Sequence, residues 1–158
     1  MNALAAATLH RLEELHNSMK QVIATLPDEA LDWSPAPEVN SVAVLVVHVC
    51  GSEAFWIGEK VGGMPVNRDR TAEFSVRGLE RAVLVERLDA ALEMAARALA
   101  VLTLEALPQP AGVSSSGFAY DVAWALQHAV EHVALHTGHV ELMRQWWESL
   151  QGPRLLVN

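Results

Sequence analysis

The chain has 158 residues, 51% hydrophobic and 19% charged, enough to form one folded domain with a sizeable core. Nineteen acidic against eleven basic residues give a formal charge of −8. No basic stripe is present to neutralise a phosphate backbone, which argues against a nucleic-acid partner. The single cysteine, Cys50, permits no intramolecular disulfide, and the first residues lack the features of a signal peptide, so we expect a cytoplasmic protein.

Four long segments, separated by stretches rich in proline and glycine, are predicted to be helices. The first runs from about residue 2 to residue 26 and places its leucines on one arc when each residue advances about 100°. Prolines between residues 27 and 37 end it. Asn40 and Ser41 are good N-cap residues for the second segment, which extends to about Lys60 and stops at Gly62 and Gly63.

The second segment needs a membrane test, because residues 42–57 are largely apolar. That stretch is shorter than the ~20 residues of a membrane span. It also contains His48, Ser52 and Glu53. Because it is apolar nearly all the way round, we expect a helix buried on more than one side and no membrane partner.

A polar loop over residues 64–76 precedes the third predicted helix, from about residue 78 to residue 104. The fourth extends from about residue 119 to residue 149, after Pro108, Pro110 and a serine-rich turn. No segment alternates with the period of two that a half-buried strand shows. The prediction is an all-α single domain over residues 1–158. It is a four-helix bundle, either up-down or a variant with a longer crossover, with a longer loop between the second and third helices.

Seven histidines are present, and four of them fall within twelve residues of the last predicted helix. They are His128, His132, His136 and His139. Relative to the first, the other three project at about 40°, 80° and 20°, so all four share one face. Trp124 and Trp146 lie beside this face, which predicts that it points into the bundle. Each buried imidazole has a donor and an acceptor to satisfy, and a bound metal ion would satisfy some of them.

Two imidazoles from one helix usually reach one ion at a spacing of four residues. His128 with His132, or His132 with His136, has this spacing. A third ligand must come from another helix, and His48 is the best candidate, since it interrupts an apolar run. Cys50 projects about 200° away from His48 on a helix and is predicted to be a small buried hydrophobe. Three neutral imidazoles would leave one or more coordination positions open to water or substrate.

The histidines have other interpretations. They could be core residues bonded to the backbone or to carboxylates. Residues 128–132 fit the H-x-x-E-H pattern of one metalloprotease class, but the pattern is short. A ferritin-like di-iron site needs two Glu-x-x-His motifs, and only residues 13–16 supply one. A haem ligand is possible without any C-x-x-C-H attachment motif to support it.

The residues resemble the DinB and YfiT-like metalloenzymes, which are small bacterial four-helix bundles. The resemblance covers most of the chain and rests on residues 31–37, on Asn40-Ser41 followed by His48, and on residues 132–139. It implies that His48, His132 and His136 hold a divalent ion, most commonly nickel or zinc. The family's last motif often reads H-x-G-Q, whereas His139 occupies the glutamine position here. His128, His139 and Glu131 are further candidates, either as alternative ligands or as groups that support the ligands.

The resemblance also implies an activity. Its members include S-transferases and a maleylpyruvate isomerase that use bacillithiol, mycothiol or glutathione. We therefore expect a metal-dependent enzyme that transfers a small thiol to an electrophile. The alternative is a non-catalytic metal-binding or stress-response protein of the same fold.

Several residues outside the histidine face are secondary candidates for the site. His16 lies at the edge of the first apolar arc and could reach it, whereas His10 is expected in solvent. Four arginines in and after the polar loop could receive an anionic thiol cofactor. They are Arg68, Arg70, Arg77 and Arg81.

A homodimer is also predicted, from an apolar stripe that repeats every seven residues on the last helix. The stripe comprises Leu126, Val133, Val140 and Trp147, and it lies mostly outside the histidine face. A helix of a lone bundle needs only one buried stripe, so a second one is typical of a symmetric contact. The alternative is that neighbouring helices of the same chain cover both arcs.

Overall fold

A computed structural model describes residues 1–151, and residues 152–158 of the predicted domain lie outside the described residues. A short 3-10 helix over Leu104–Ala106 precedes the hairpin described below. Each of the four predicted segments forms a long α-helix, and two α-helices of one turn lie between them. In chain order they are α1 (Ala3–Thr25), α2 (Asp28–Leu31), α3 (Val42–Glu53), α4 (Arg70–Glu73), α5 (Arg81–Val101) and α6 (Val122–Leu150). α3 continues without interruption as a π-helix over Ala54–Val61. The predicted four-helix bundle is therefore confirmed.

The helix ends follow the capping residues of the sequence. The Ser41 side chain accepts a hydrogen bond from the Val44 amide at the start of α3, as predicted. Asn2 and Asp121 cap α1 and α6 in the same way. The π-helical extension of α3 ends at Gly62, and the following Gly63 has a φ of 64°, a conformation that glycine adopts without strain.

A small hairpin precedes α6 and corrects the purely helical prediction. Strand β1 (Pro110–Val113) pairs antiparallel with β2 (Ala119–Asp121), so α6 begins at Val122 rather than at Ala119. The strands are too short to show a period of two, which is why the sequence pattern did not reveal them. Gly117 closes the turn with a φ of 84°.

The order of packing is not the simple alternation of an up-down bundle. α1 and α3 each pack chiefly against α5 and α6, so consecutive helices α1 and α3 lie diagonally across the bundle. The Asn2 side chain donates to the Leu102 carbonyl, which places the start of α1 at the end of α5. Gly58 faces Met94 and Gly62 faces Ala98, so α3 and α5 run in the same direction. The crossover variant is the one formed, and residues 62–80 make the crossing.

α3 is the central element of the core. Every residue from 41 to 50 is buried, as the apolar composition predicted. Within the described residues, Val42–Val61 is the one helix long and apolar enough to span a membrane, and 67% of its most apolar window is buried inside the bundle. His48 therefore projects from a fixed, fully packed helix toward α6.

Candidate metal centre

Three histidines from two helices converge where α3 packs against α6. His48, His132 and His136 each offer a nitrogen, and these three atoms lie within 4.8 Å of one another. The Nε2 atoms of His48 and His132 are 3.2 Å apart. The rings of His132 and His136, one helical turn apart on α6, have centroids separated by 4.4 Å. The structure thus brings together the three residues that the resemblance indicated.

The donors fit a divalent ion of borderline softness. Imidazole nitrogens bind zinc and nickel well, and two of them at about 2.05 Å from a tetrahedral ion lie about 3.3 Å apart. The separation of 3.2 Å between two Nε2 atoms agrees with this value. Both the type of donor and the spacing of these two nitrogens therefore fit zinc or nickel.

Burial keeps two of the imidazoles neutral. Desolvation, together with the neighbouring His136 and His48, lowers the pKa of His132 to about 3. Desolvation, with His48 and His139, lowers the pKa of His136 to about 4. Neutral imidazole is the form that binds metal, so these two rings lose no proton when an ion binds at neutral pH.

A carboxylate supports the cluster from the far side of His48. Glu73, at the end of α4, accepts a hydrogen bond of 2.9 Å from His48 Nδ1. Arg68 donates to both oxygens of the same carboxylate, at 2.6 Å and 2.9 Å. Burial raises the pKa of Glu73, but the hydrogen bonds from Arg68 and His48 outweigh it and hold the pKa below its usual value. Glu73 is therefore an ionised, buried acceptor.

An aromatic wall extends from the cluster toward the hairpin. His128 stacks on Trp124 with ring centroids 4.8 Å apart, and Trp56 meets the same imidazole edge-on at 4.7 Å. Tyr120 and Phe118 of the hairpin region pack on Trp124. His128 contributes no atom to the three-nitrogen cluster, and its centroid is 6.0 Å from that of His132. It belongs to the wall beside the cluster, together with Trp56 and Trp124.

The other two candidates on α6 lie at the rim. His139 is exposed, and its Nδ1 is 3.3 Å from His136 Nδ1, so it contacts the cluster from the solvent side. The expectation that all four histidines point into the bundle is wrong for His139. Glu131 is also exposed and accepts a hydrogen bond from Gln127 on its own helix, away from the cluster.

His16 belongs to a different buried pair and does not reach the cluster. Its ring is fully buried, with Nε2 2.7 Å from a Glu53 oxygen and Nδ1 3.0 Å from the Leu88 carbonyl. Because a carbonyl only accepts, Nδ1 carries a hydrogen, and Nε2 and Glu53 share one proton between them. This pair holds α1 to α3 and α5. His10, by contrast, is 73% exposed, as predicted.

Cys50 and most of the arginines serve other contacts. Burial, with the charge of Glu53, raises the pKa of the Cys50 thiol, which agrees with an inert buried hydrophobe. Arg81 donates to the Ile23 and Leu26 carbonyls at the end of α1, so it is not available to a cofactor. Arg77 is exposed. Arg70 lies over the Phe74 ring, which itself packs 4.8 Å from His48.

Glu73 is the site residue that sequence reasoning missed. It lies in a polar loop without periodicity, so no local pattern marks it. One signal was available in Gly51, a glycine inside an apolar helix one turn after His48. A Cβ atom at position 51 would lie 2.1 Å from Glu73 Oε1, so only glycine leaves room for the carboxylate.

Comparison with known families identifies the chain. The sequence profile of the mycothiol-S-transferase family, a DinB-like family, matches residues 8–149. The chain therefore belongs to the mycothiol-S-transferase family. No curated protein matches it.

Solved structures share the fold at low sequence identity. YfiT from Bacillus subtilis, described as a probable metal-dependent hydrolase with an unusual four-helix bundle topology, aligns with a TM-score of 0.75 and 16% identity over 94% of this chain and 90% of its own. A conserved protein from Enterococcus faecalis aligns with a TM-score of 0.74 and 15% identity over 92% and 97%. The mycothiol-dependent maleylpyruvate isomerase aligns with a TM-score of 0.62 and 12% identity over 84% of this chain and 59% of its own.

The lowered pKa values predict an acid-sensitive cluster in the metal-free protein. In the unfolded chain both imidazoles protonate near pH 6.5, whereas in the folded chain His132 and His136 protonate near 3 and 4. Between these values the unfolded state binds more protons, so the free energy of unfolding falls as the pH is lowered from 6.5 toward 4. Urea denaturation in the presence of a chelator, from pH 7.5 to pH 4.5, measures this slope. In a His132→Asn, His136→Asn variant the free energy of unfolding should fall less steeply as the pH is lowered. If it falls equally steeply in the two proteins, His132 and His136 do not have lowered pKa values in the folded state.

Proposed function

We propose that His48, His132 and His136 bind one divalent ion per chain, with zinc or nickel the best matches to three imidazole donors. The observation that carries the proposal is the convergence of three ring nitrogens, two of them on neutral imidazoles, in a member of a mycothiol-S-transferase family. His48 is 6% exposed, while His132 and His136 are half-buried, so the cluster has one packed side and one accessible side.

We further propose that the protein transfers a small thiol, of the mycothiol, bacillithiol or glutathione type, to an electrophilic substrate. The family profile and the mycothiol-dependent structural relative support this class of cofactor. The ion, when bound, would lower the pKa of a thiol and so favour the thiolate near neutral pH. The thiolate sulfur would form a bond to the electrophilic carbon while either the bond from that carbon to a leaving group or a π bond at that carbon breaks. The electron pair of the broken bond would depart with the leaving group or, in an addition, would take up a proton.

The residues around the cluster fit this role. The half-buried rings of Trp56, Trp124 and His128 offer an apolar wall on one side of the cluster for the body of a substrate. Arg70 is exposed beside Phe74 and is the arginine of the loop best placed to meet an anionic group of the thiol. Such a thiol is a cytosolic metabolite, and the single buried cysteine is compatible with a cytoplasmic location.

Metal content tests the ligand assignment. The purified wild-type protein should hold one equivalent of a divalent ion by elemental analysis, and the chelated protein should recover one equivalent in a titration. A His132→Ala, His136→Ala variant should lose stoichiometric binding, because one imidazole alone holds an ion weakly. His10→Ala is the matched control, since this histidine lies in solvent, and it should bind as the wild type does. Stoichiometric metal in the double variant would show that the ligands are elsewhere.

Thiol binding tests the proposed chemistry. Glutathione, bacillithiol and mycothiol, each at millimolar concentration, are added to the cobalt-substituted protein, and a sulfur-to-metal charge-transfer band should appear with at least one of them. The metal-free protein should not bind the thiol, and binding should release a proton. If a protein shown to carry cobalt gives no band with any of the three thiols, the non-catalytic metal-binding alternative takes the place of the transferase.

We propose a homodimer because α6 carries an exposed apolar stripe, which differs from the stripe that predicted a dimer from the sequence. Leu126, Val133 and Val140 are buried within the chain, so neighbouring helices cover the stripe that first predicted a dimer. A second stripe on α6 is exposed instead, with Leu135 57%, Leu142 53% and Trp146 44% accessible. Exposed apolar rows of this kind are typical of contacts between copies. Light scattering should give twice the mass of the chain at micromolar concentration, and a stable monomer of 17.2 kDa would contradict the dimer.

A further inference from the structure

A buried carboxylate outside the predicted site contacts His48 from the loop that crosses from α3 to α5. Glu73 is 6% exposed, and it ends a helix of one turn that Asp69 caps through the Ala72 amide. Its carboxylate reaches His48 Nδ1 at 2.9 Å. Arg68 donates to both oxygens of this carboxylate, so the oxygens act as acceptors and Nδ1 carries the hydrogen of the bond to His48.

This hydrogen bond fixes the chemical form of the opposite nitrogen. With the hydrogen on Nδ1, a neutral His48 presents a lone pair at Nε2, the atom that faces His132 at 3.2 Å. Without a partner at Nδ1, the ring could take either tautomer and could rotate about its χ2 angle. Histidine ligands in proteins are commonly oriented by such an outer carboxylate.

Two further contacts hold the carboxylate in place. The Arg68 guanidinium is half-buried and donates a hydrogen bond to each oxygen of Glu73. This two-point contact fixes the orientation of the carboxylate, which the single ammonium group of a lysine could not do. Gly51, one turn after His48 on α3, leaves the space into which the carboxylate fits. The crossing loop is thereby tied to the helix that carries His48.

We propose that Glu73, held by Arg68, is a positioning residue that orients His48 with its Nε2 lone pair toward His132 and His136. The proposal rests on the metal site proposed above. It goes beyond that site, because it assigns the crossing loop a role in determining how tightly the ion is held.

The first experiment measures the affinity for zinc in competition with a coloured chelator. Glu73→Ala should weaken zinc binding by about 10-fold to 100-fold, the range found when an outer partner of a histidine ligand is removed. Glu73→Gln keeps an acceptor oxygen for Nδ1–H without the charge, so it should weaken binding less than Glu73→Ala. Gly51→Ala should also weaken binding, although alanine is the better helix former, because its Cβ displaces the carboxylate.

The matched control is Glu53→Gln. Glu53 is also a buried carboxylate paired with a histidine, but its partner His16 lies outside the cluster. The variant should be less thermally stable than the wild type. Its zinc affinity should stay within about two-fold of the wild type, because among the described residues Glu53 shares no hydrogen-bond partner with the histidines of the cluster. A loss smaller than tenfold in Glu73→Ala, or an equal loss in Glu53→Gln, would overturn the proposal.

The second experiment needs no metal and so separates this proposal from the metal site. Long-range 1H–15N NMR of histidine-labelled, metal-free protein at pH 8 reports the tautomer of each imidazole. His48 should carry its hydrogen on Nδ1 in the wild type and lose this preference in Glu73→Ala. A wild-type His48 protonated on Nε2, or an unchanged tautomer in the variant, would refute the positioning role. A protein that shows the expected tautomer and binds no zinc would refute only the proposed function.

Discussion

Burial of imidazole in an apolar helix is the constraint on which this structure depends. His48 lies in a stretch of the chain where residues 41–50 are all buried, and a ring there must satisfy both of its nitrogens. Nδ1 is satisfied by Glu73 from the crossing loop, and Nε2 faces His132 from α6. Three separate parts of the chain therefore meet at one side chain, and none of them is near the others in sequence.

The unusual course of the bundle makes that meeting possible. Because α3 and α5 run in the same direction, the chain must return along the bundle between them, and residues 62–80 do so. The returning loop passes beside α3 and places α4, with Glu73, against His48. A simple up-down connection would need only a short turn at the end of α3 and would leave Nδ1 of His48 without this partner.

The same bundle contains a second buried pair of a histidine and a carboxylate, His16 with Glu53. The two pairs differ in what the second nitrogen of the histidine contacts. His16 has both ring nitrogens occupied, by Glu53 and the Leu88 carbonyl, so it has no nitrogen left for an ion, while Glu53 Oε1 is buried without a hydrogen-bond partner among residues 1–151. His48 has one nitrogen occupied by protein and one directed at other imidazoles. An imidazole with both nitrogens bonded to other protein groups stabilises packing, whereas an imidazole with one nitrogen facing other imidazoles can act as a metal ligand.

The helices and the candidate histidines were predictable because their signals are local, and the choice of His132 with His136 over His128 with His132 came from the family resemblance. The spacing of four between His132 and His136 places both on one face of any helix, and His48 stands out against an apolar run. The direction of the helices, the hairpin and Glu73 were not predictable, because they depend on contacts between distant segments. His16 shows that residue type alone does not identify a metal ligand. It is a histidine, but it is fully buried against Glu53 and so lies outside the cluster.

X-ray absorption spectroscopy on the zinc-loaded protein tests the central claim most directly, because it counts the imidazoles bound to the ion. Three bound imidazoles at about 2.0 Å in the wild type are expected, the distance of a zinc–histidine bond. His48→Ala, which removes the ligand from α3, should retain at most two. Fewer than three imidazoles in the wild type, or an unchanged spectrum in His48→Ala, would contradict a centre built from α3 and α6 together.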